Sequence, residues 1–143
     1  MLNATQAAGL AKNVDLFRGL PPEDVLKILQ KGRTLNLSKG SVIFYEGTTG
    51  NEMFVILGGS VALYRHKQLL ATLKFGQTFG EMSVVSNEPR SATAVAAEDS
   101  NIYVMDETLF HKLLTKRVSI NLLMNIMRIL CDRLRETNKR LIS

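Results

Sequence analysis

Cysteine, tryptophan and histidine are scarce in this chain of 143 residues, which contains one cysteine, no tryptophan and two histidines. Because Cys131 is the single cysteine, an internal disulfide bond is excluded, as is typical of proteins from a reducing compartment. His66 and His111 have no other metal-ligand side chain at a useful spacing. The sequence therefore predicts no metal site, which argues against a metal-dependent enzyme.

Long hydrophobic runs are also missing, since no uninterrupted apolar stretch approaches the roughly 18 residues of a membrane span. Residues 1–14 lack the basic start and the apolar centre of a signal peptide. The sequence contains no glycine pattern of a P-loop or a Rossmann fold, and no Ser-His-Asp or Cys-His motif. We therefore expect a cytoplasmic protein that is not an enzyme and has no catalytic residue or cofactor.

Positive charge is concentrated at the C-terminal end. The formal net charge is +5, but residues 1–106 hold ten basic and ten acidic side chains. Residues 107–143 hold eight basic and three acidic side chains. A solvated helix face accounts for such an excess in most proteins. The alternative is an acidic partner, such as nucleic acid or a membrane surface.

Residues 1–106 predict helices followed by strands within one domain. We expect an N-terminal helical segment over residues 1–33, in which Pro22 begins a helix and Gly32 ends it. Residues 34–106 form short apolar segments separated by turn residues, including a hairpin that turns at residues 98–100. This pattern is typical of an antiparallel sandwich, barrel or jelly roll.

Residues 107–143 predict two helices, with Asp106 as the cap of the first. The second helix, over residues 118–141, is apolar nearly all round in its first half and must be buried on two sides. It also carries apolar residues at alternating spacings of three and four, which is typical of a coiled coil. These stripe residues are Ile120, Leu123, Met127, Leu130, Leu134, Thr137 and Leu141. We expect a parallel homodimer through this helix; the alternative is that the stripe packs on the chain's own strands.

The most informative stretch is residues 79–92. Gly80 lets the backbone approach a ligand closely, and a helical turn over residues 81–85 would point unpaired N–H groups at an anion. Arg90 offers a planar fork of donors that matches phosphate oxygens. An ionised Glu81 accepts hydrogen bonds only, so it suits hydroxyl groups. A ribose hydroxyl beside a phosphate would satisfy both side chains.

This stretch resembles the phosphate-binding cassette of cyclic nucleotide-binding domains, which occur in bacterial catabolite activators and in regulatory subunits of the cAMP-dependent kinase. The family pattern begins with Phe-Gly-Glu at residues 79–81 and ends with Pro-Arg, a small residue and Ala at residues 89–92. Every position of that pattern is matched. Glycine-punctuated strands over residues 39–61 also look like those of the family, and the resemblance extends from about Val14 to the end of the chain.

The resemblance implies a mainly β fold: an antiparallel β-roll with N-terminal helices and a long C-terminal helix. It implies a regulatory domain that binds a cyclic nucleotide, cAMP more than cGMP, and signals through its C-terminal helices. The long helix would cover the base, although no covering residue can be named. The implied ligand-binding residues are Phe79, Gly80, Glu81, Met82, Ser83, Pro89, Arg90, Ser91 and Ala92 in the cassette, with Leu63, Leu70 and Ala71 on neighbouring strands.

Two other functions stay open. The first is a nucleotide-free adaptor or dimerisation module with the same fold, in which Arg90 would form a structural ion pair with Glu81. The second is a module that associates with DNA or membranes through the basic tail. Transcription factors of the family carry a helix-turn-helix after the long helix, whereas this sequence stops at Ser143. We therefore expect no nucleic-acid partner and an output to another protein or to a separate domain.

Overall fold

The computed structural model describes residues 3–142, apart from the side chains of Ala4 and residues 140–142. The helices are α1 (Ala4–Asn13), α2 (Pro22–Lys31), α3 (Glu81–Val85), α4 (Glu107–Leu113) and α5 (Ser119–Ile142), with a 3-10 turn at Asp15–Phe17. The strands are β1 (Arg33–Leu37), β2 (Val42–Phe44), β3 (Glu52–Gly58), β4 (Ser60–Arg65), β5 (Gln68–Lys74), β6 (Thr78–Phe79), β7 (Thr93–Ala96) and β8 (Ser100–Asp106). The predicted fold class, an antiparallel β-roll with N-terminal helices and a long C-terminal helix, is confirmed.

The strands form two four-stranded antiparallel sheets, in the orders β1-β8-β3-β6 and β2-β7-β4-β5. The predicted hairpin at residues 98–100 is wrong, because β7 and β8 belong to different sheets. Ser60, at the start of β4, holds the connection: its Oγ donates to Glu98 Oε2 at 2.7 Å, and its carbonyl accepts from Ser100 Oγ at 3.1 Å. These bonds fix the chain where it crosses from one sheet to the other.

Strand β3 lies between the two hydrophobic clusters of the protein. Met53 and Val55 face the cluster shared with the helices, whereas Phe54 and Ile56 face the cluster between the sheets. Successive side chains of a strand point to opposite faces, so a strand covered on both faces needs an uninterrupted apolar run. The run in β3 therefore places this strand, and Phe79 of the adjacent β6, at the centre of the fold.

The long helix α5 packs by one face and exposes another. Its N-terminal half is held by Asn125, whose side-chain amide donates to the carbonyls of Leu16 and Arg18, both at 2.8 Å. On the predicted stripe, Ile120 is 71% exposed and Met127 56% exposed. The alternative in which the stripe packs on the chain's own strands is therefore wrong for these residues. Within residues 3–142, no helix has the length and apolar character that a bilayer crossing requires.

Candidate functional site

Gly80 joins β6 to the short helix α3 and sets the direction of that helix. Its φ is +77°, in the left-handed region where glycine is favoured. A Cβ atom at Gly80 would lie 2.8 Å from Arg90 Nη1 and 3.0 Å from Phe54 Cδ2. Both the backbone conformation and the close approach therefore require glycine. As a result, Glu81 follows the strand directly and its side chain enters the interior.

Backbone hydrogen bonds direct the side chain of Arg90 inward. The amide of Arg90 donates to the carbonyl of Thr48, and its carbonyl accepts from the amide of Gly47, both at 2.8 Å. The side chain is only 6% exposed, and Nη1 donates to the carbonyl of Gly80 at 3.2 Å. Its Cζ lies 4.2 Å from the centre of the Phe44 ring, which attracts a cation through its π electrons.

Arg90 is a buried cation that has no ion-pair partner within residues 3–142. Burial lowers the pKa of the Arg90 guanidinium, and the charges of Glu52 and Glu81 partly oppose that shift. A guanidinium nevertheless stays protonated in proteins. The group is also tightly enclosed, since a Cβ atom at Gly50 would lie 2.3 Å from its Nη2. Burying such a charge is costly unless an anion compensates it.

Glu81 is 2% exposed and forms an ion pair with Arg133 from α5. Arg133 Nη1 donates to Glu81 Oε1, and its Nη2 donates to the carbonyl of Thr78. The structural ion pair between Arg90 and Glu81 that the adaptor alternative assumed is therefore wrong within the described part of the chain. The two opposite charges are held by different partners.

Arg133 is a site residue that the sequence analysis missed. The long helix was expected to cover the site, but no residue of it was named. A signal existed, because Arg133 follows the buried Ile126 by seven residues and the buried Ile129 by four. Both spacings place it on the face of α5 that packs inward.

A cavity of about 80 Å³ lies among these side chains. Ten of the twelve predicted ligand-binding residues line it: Leu63, Phe79, Gly80, Glu81, Met82, Ser83, Pro89, Arg90, Ser91 and Ala92. Phe44 and Arg133 complete the lining, and neither was predicted. The cavity therefore brings the two ends of the cassette, residues 79–83 and 89–92, together with one strand on either side of β7 and with the long helix.

Leu70 and Ala71 are the two predicted residues that do not line this cavity among the residues described. Both belong to β5, the outermost strand of its sheet, with β4 between it and β7. Ala71 lies opposite Leu63 in the register and packs against the cluster between the sheets. Both residues therefore lie one strand beyond the part of the sheet that lines this cavity.

Ser83 connects α3 to the loop that leads to Arg90. Its side chain is buried, and its Oγ donates to the carbonyl of Glu88 at 3.2 Å. The carbonyl of Ser91 accepts from Arg65 Nε of β4 at 3.1 Å, and the side chain of Ser91 stays exposed. These bonds fix both ends of the loop that carries Arg90.

The family model of the cyclic nucleotide-binding domain matches residues 34–117, which include the whole cassette. The chain belongs to this family. The resemblance identified from the cassette is thereby confirmed. The family is one of regulatory sensor domains, represented among the relatives by receptor and kinase regulatory proteins.

Several proteins of this family are similar to the chain. The cyclic AMP receptor protein of Thermus thermophilus is 36% identical over 99 residues, which cover 66% of this chain and 46% of that protein. A cAMP-dependent protein kinase regulatory subunit of Candida albicans is 29% identical over 116 residues, covering 79% of this chain and 25% of that protein. The crystal structure of the Thermus thermophilus catabolite activator protein superposes with a TM-score of 0.80 at 34% identity, covering 89% of this chain and 61% of that one. The chain thus spans less than half the length of the two curated relatives.

Proposed function

We propose that this domain is a non-catalytic sensor that binds a cyclic nucleotide, with cAMP preferred over cGMP, between Glu81 and Arg90. One observation carries the proposal: two buried, opposite charges line the same cavity and are held by different partners. The fork of Arg90 suits the single negative charge of a cyclic phosphate, and Glu81 suits the ribose hydroxyl. The preference for cAMP is supported by the names of the two curated relatives, which both refer to cyclic AMP.

Arg133 provides a route from the ligand to the long helix. A water molecule needs roughly 10–15 Å³ of such space, so a cavity of about 80 Å³ holds several waters but not a base, a sugar and a phosphate. The ribose can therefore reach Glu81 only if Arg133 shifts. In this proposal α5 moves together with Arg133, so that the ligand would have different affinities for two positions of the helix, which is the condition for a ligand-driven shift. The domain would pass that shift to a partner protein or to a separate domain.

Thermal unfolding with added nucleotide tests the binding proposal. A ligand at 100 times its Kd stabilises the native state by about 2.7 kcal/mol, which raises Tm by roughly 5–10 °C for a protein of this size. We expect that shift with cAMP, a smaller one with cGMP at the same concentration, and none with linear 5′-AMP. A larger shift with cGMP would overturn the preference for cAMP. No shift with either cyclic nucleotide would support the nucleotide-free adaptor instead.

The exposed stripe of α5 supports a homodimer. Ile120, Met127 and Leu134 lie on one side of the helix, and each is more than half exposed. Their spacing suits a coiled-coil seam, in which a second copy of α5 would cover them. This parallel contact would place the helices that carry Arg133 next to each other. A shift of α5 in one copy would then also displace α5 of the second copy.

Light scattering after gel filtration tests the dimer. We expect a mass of about twice 15.9 kDa for the wild type and a return to the monomer mass for Met127→Glu, because a seam carboxylate would be buried without a partner. Arg135→Gln is the matched control, since it also lowers the net charge by one on the same exposed helix. A monomeric wild type, or equal dissociation of both variants, would contradict this assembly.

A further inference from the structure

We infer that a basic groove between α2, α4 and the turn before α5 is a docking site for an acidic segment of a partner protein. The groove is defined by five basic residues: Lys27, Lys31, Lys112, Lys116 and Arg117. None of them lines the cavity between Glu81 and Arg90. The inference therefore stands independently of cyclic nucleotide binding and concerns a different activity, the recognition of a partner.

The groove consists of two cavities that meet at Lys31. The larger, of about 430 Å³, has an apolar floor made of Ile28, Leu113 and Val118. The smaller, of about 370 Å³, lies between Lys31 and the first turns of α4. Together they form a concave surface long enough for several residues of an extended or helical segment, with cations along its rim.

The four lysines carry the part of the groove's positive charge that no described residue pairs with. The ammonium groups of Lys27, Lys31, Lys112 and Lys116 form no ion pair with any residue that the structure describes. All four side chains are exposed. Exposed cations that line one groove create a positive potential, which attracts an acidic ligand.

One oxygen of each nearby acid has a partner, whereas Asp24 Oδ2 is buried without a hydrogen bond to any described residue. Asp24 Oδ1 accepts from Arg117 Nη2 at 2.8 Å, and Glu23 Oε1 lies 3.8 Å from the same nitrogen. Asp106 Oδ1 accepts from the amide of Leu109 at 2.8 Å and caps α4. These contacts leave the four lysines as the charges available to a ligand.

The shape and the chemistry favour a polypeptide over a nucleic acid or a membrane. A flat bilayer and a convex phosphate backbone do not fill a concave groove with an apolar floor. An acidic peptide offers carboxylates to the lysines and apolar side chains to the apolar floor of the groove.

Peptide selection on the full chain tests the groove. Random dodecapeptides displayed on phage are selected on the wild type, and the most enriched one is synthesised with a fluorescent label. We expect it to be rich in Asp and Glu interleaved with apolar residues. Its Kd, from fluorescence anisotropy, should rise at least tenfold with the triple variant K27E/K31E/K116E. The matched triple variant K12E/K67E/K74E, which has the same charge change at exposed lysines elsewhere, should bind within twofold of the wild type.

A milder variant and two other probes complete the test. Lys31→Gln should weaken the peptide at least threefold without changing Tm, because Lys31 is exposed and borders both cavities. Binding should also weaken as NaCl is raised, since salt screens exposed charges. A selection that enriches no acidic peptide, or equal losses in both triple variants, would overturn the inference. So would duplex DNA or phosphatidylserine vesicles that bind the wild type and are lost with K27E/K31E/K116E.

Discussion

Replacing Arg90 by alanine is expected to weaken the binding of cAMP by about 2–5 kcal/mol, or roughly 30- to 5,000-fold in Kd at 25 °C. Among the described residues that line the cavity, Arg90 is the buried cation without an ion-pair partner. It can therefore neutralise a cyclic phosphate without first breaking another ion pair. Arg133 is already engaged by Glu81. Isothermal calorimetry measures the loss directly.

Two variants separate the charge of Arg90 from its shape. Arg90→Lys keeps a cation but loses the planar fork, so its affinity should lie between those of the wild type and Arg90→Ala. Arg18→Ala is the control. It removes an exposed arginine that lies beside the N-terminal half of α5 and outside the ligand cavity, so the affinity for cAMP should be unchanged. Near-normal binding of cAMP by Arg90→Ala, with an unchanged unfolding curve, would rule out the assigned site.

Most of the residues chosen from the sequence line one cavity because the cassette is a local motif. Gly80, Glu81 and Arg90 lie within eleven residues. Each was identified by its own chemistry: the missing side chain of glycine, the acceptor oxygens of glutamate and the donor nitrogens of arginine. The structure adds reasons that the sequence does not display: a Cβ atom at Gly50 or at Gly80 would collide with the guanidinium of Arg90. These glycines are 40 and 10 residues from Arg90, and only the closer one belongs to the cassette pattern.

The errors arose where distant contacts decide the structure. Turn residues at 98–100 are equally suited to a hairpin and to a crossing between sheets, and the bonds to Ser60 decide between them. Arg133 is 52 residues from Glu81, and a helix pattern alone indicates its face but not its partner. Local propensity carries no information about such pairings, which depend on tertiary packing.

The role of Glu81 can be measured by comparing ligands that have and lack the ribose 2′-hydroxyl. We expect the wild type to bind 2′-deoxy-cAMP about 1.5–3 kcal/mol more weakly than cAMP, the range for a hydrogen bond to a charged group. In Glu81→Ala that difference should shrink to within about 0.5 kcal/mol, because the acceptor is gone. Calorimetry on the four combinations of protein and ligand gives the coupling energy. Glu88→Ala is the control, since it removes an exposed carboxylate of the same cassette.

The four-way comparison is needed because Glu81→Ala has two opposing effects on cAMP. It removes the acceptor for the hydroxyl, which weakens binding, and it releases Arg133, which no longer has to leave Glu81 before the ligand enters. The affinity of Glu81→Ala for cAMP therefore reports the sum of the two effects. The release of Arg133 is the same for cAMP and for 2′-deoxy-cAMP, so it cancels in the coupling energy. If the deoxy analogue is still discriminated fully in Glu81→Ala, then Arg133 or another group binds the hydroxyl, and the role assigned to Glu81 is wrong. The other outcome is that the coupling energy is lost while the affinity for cAMP changes little. In that case the ion pair between Glu81 and Arg133 and the hydrogen bond between Glu81 and the ribose contribute similar free energies. A switch between two helix positions requires such a balance.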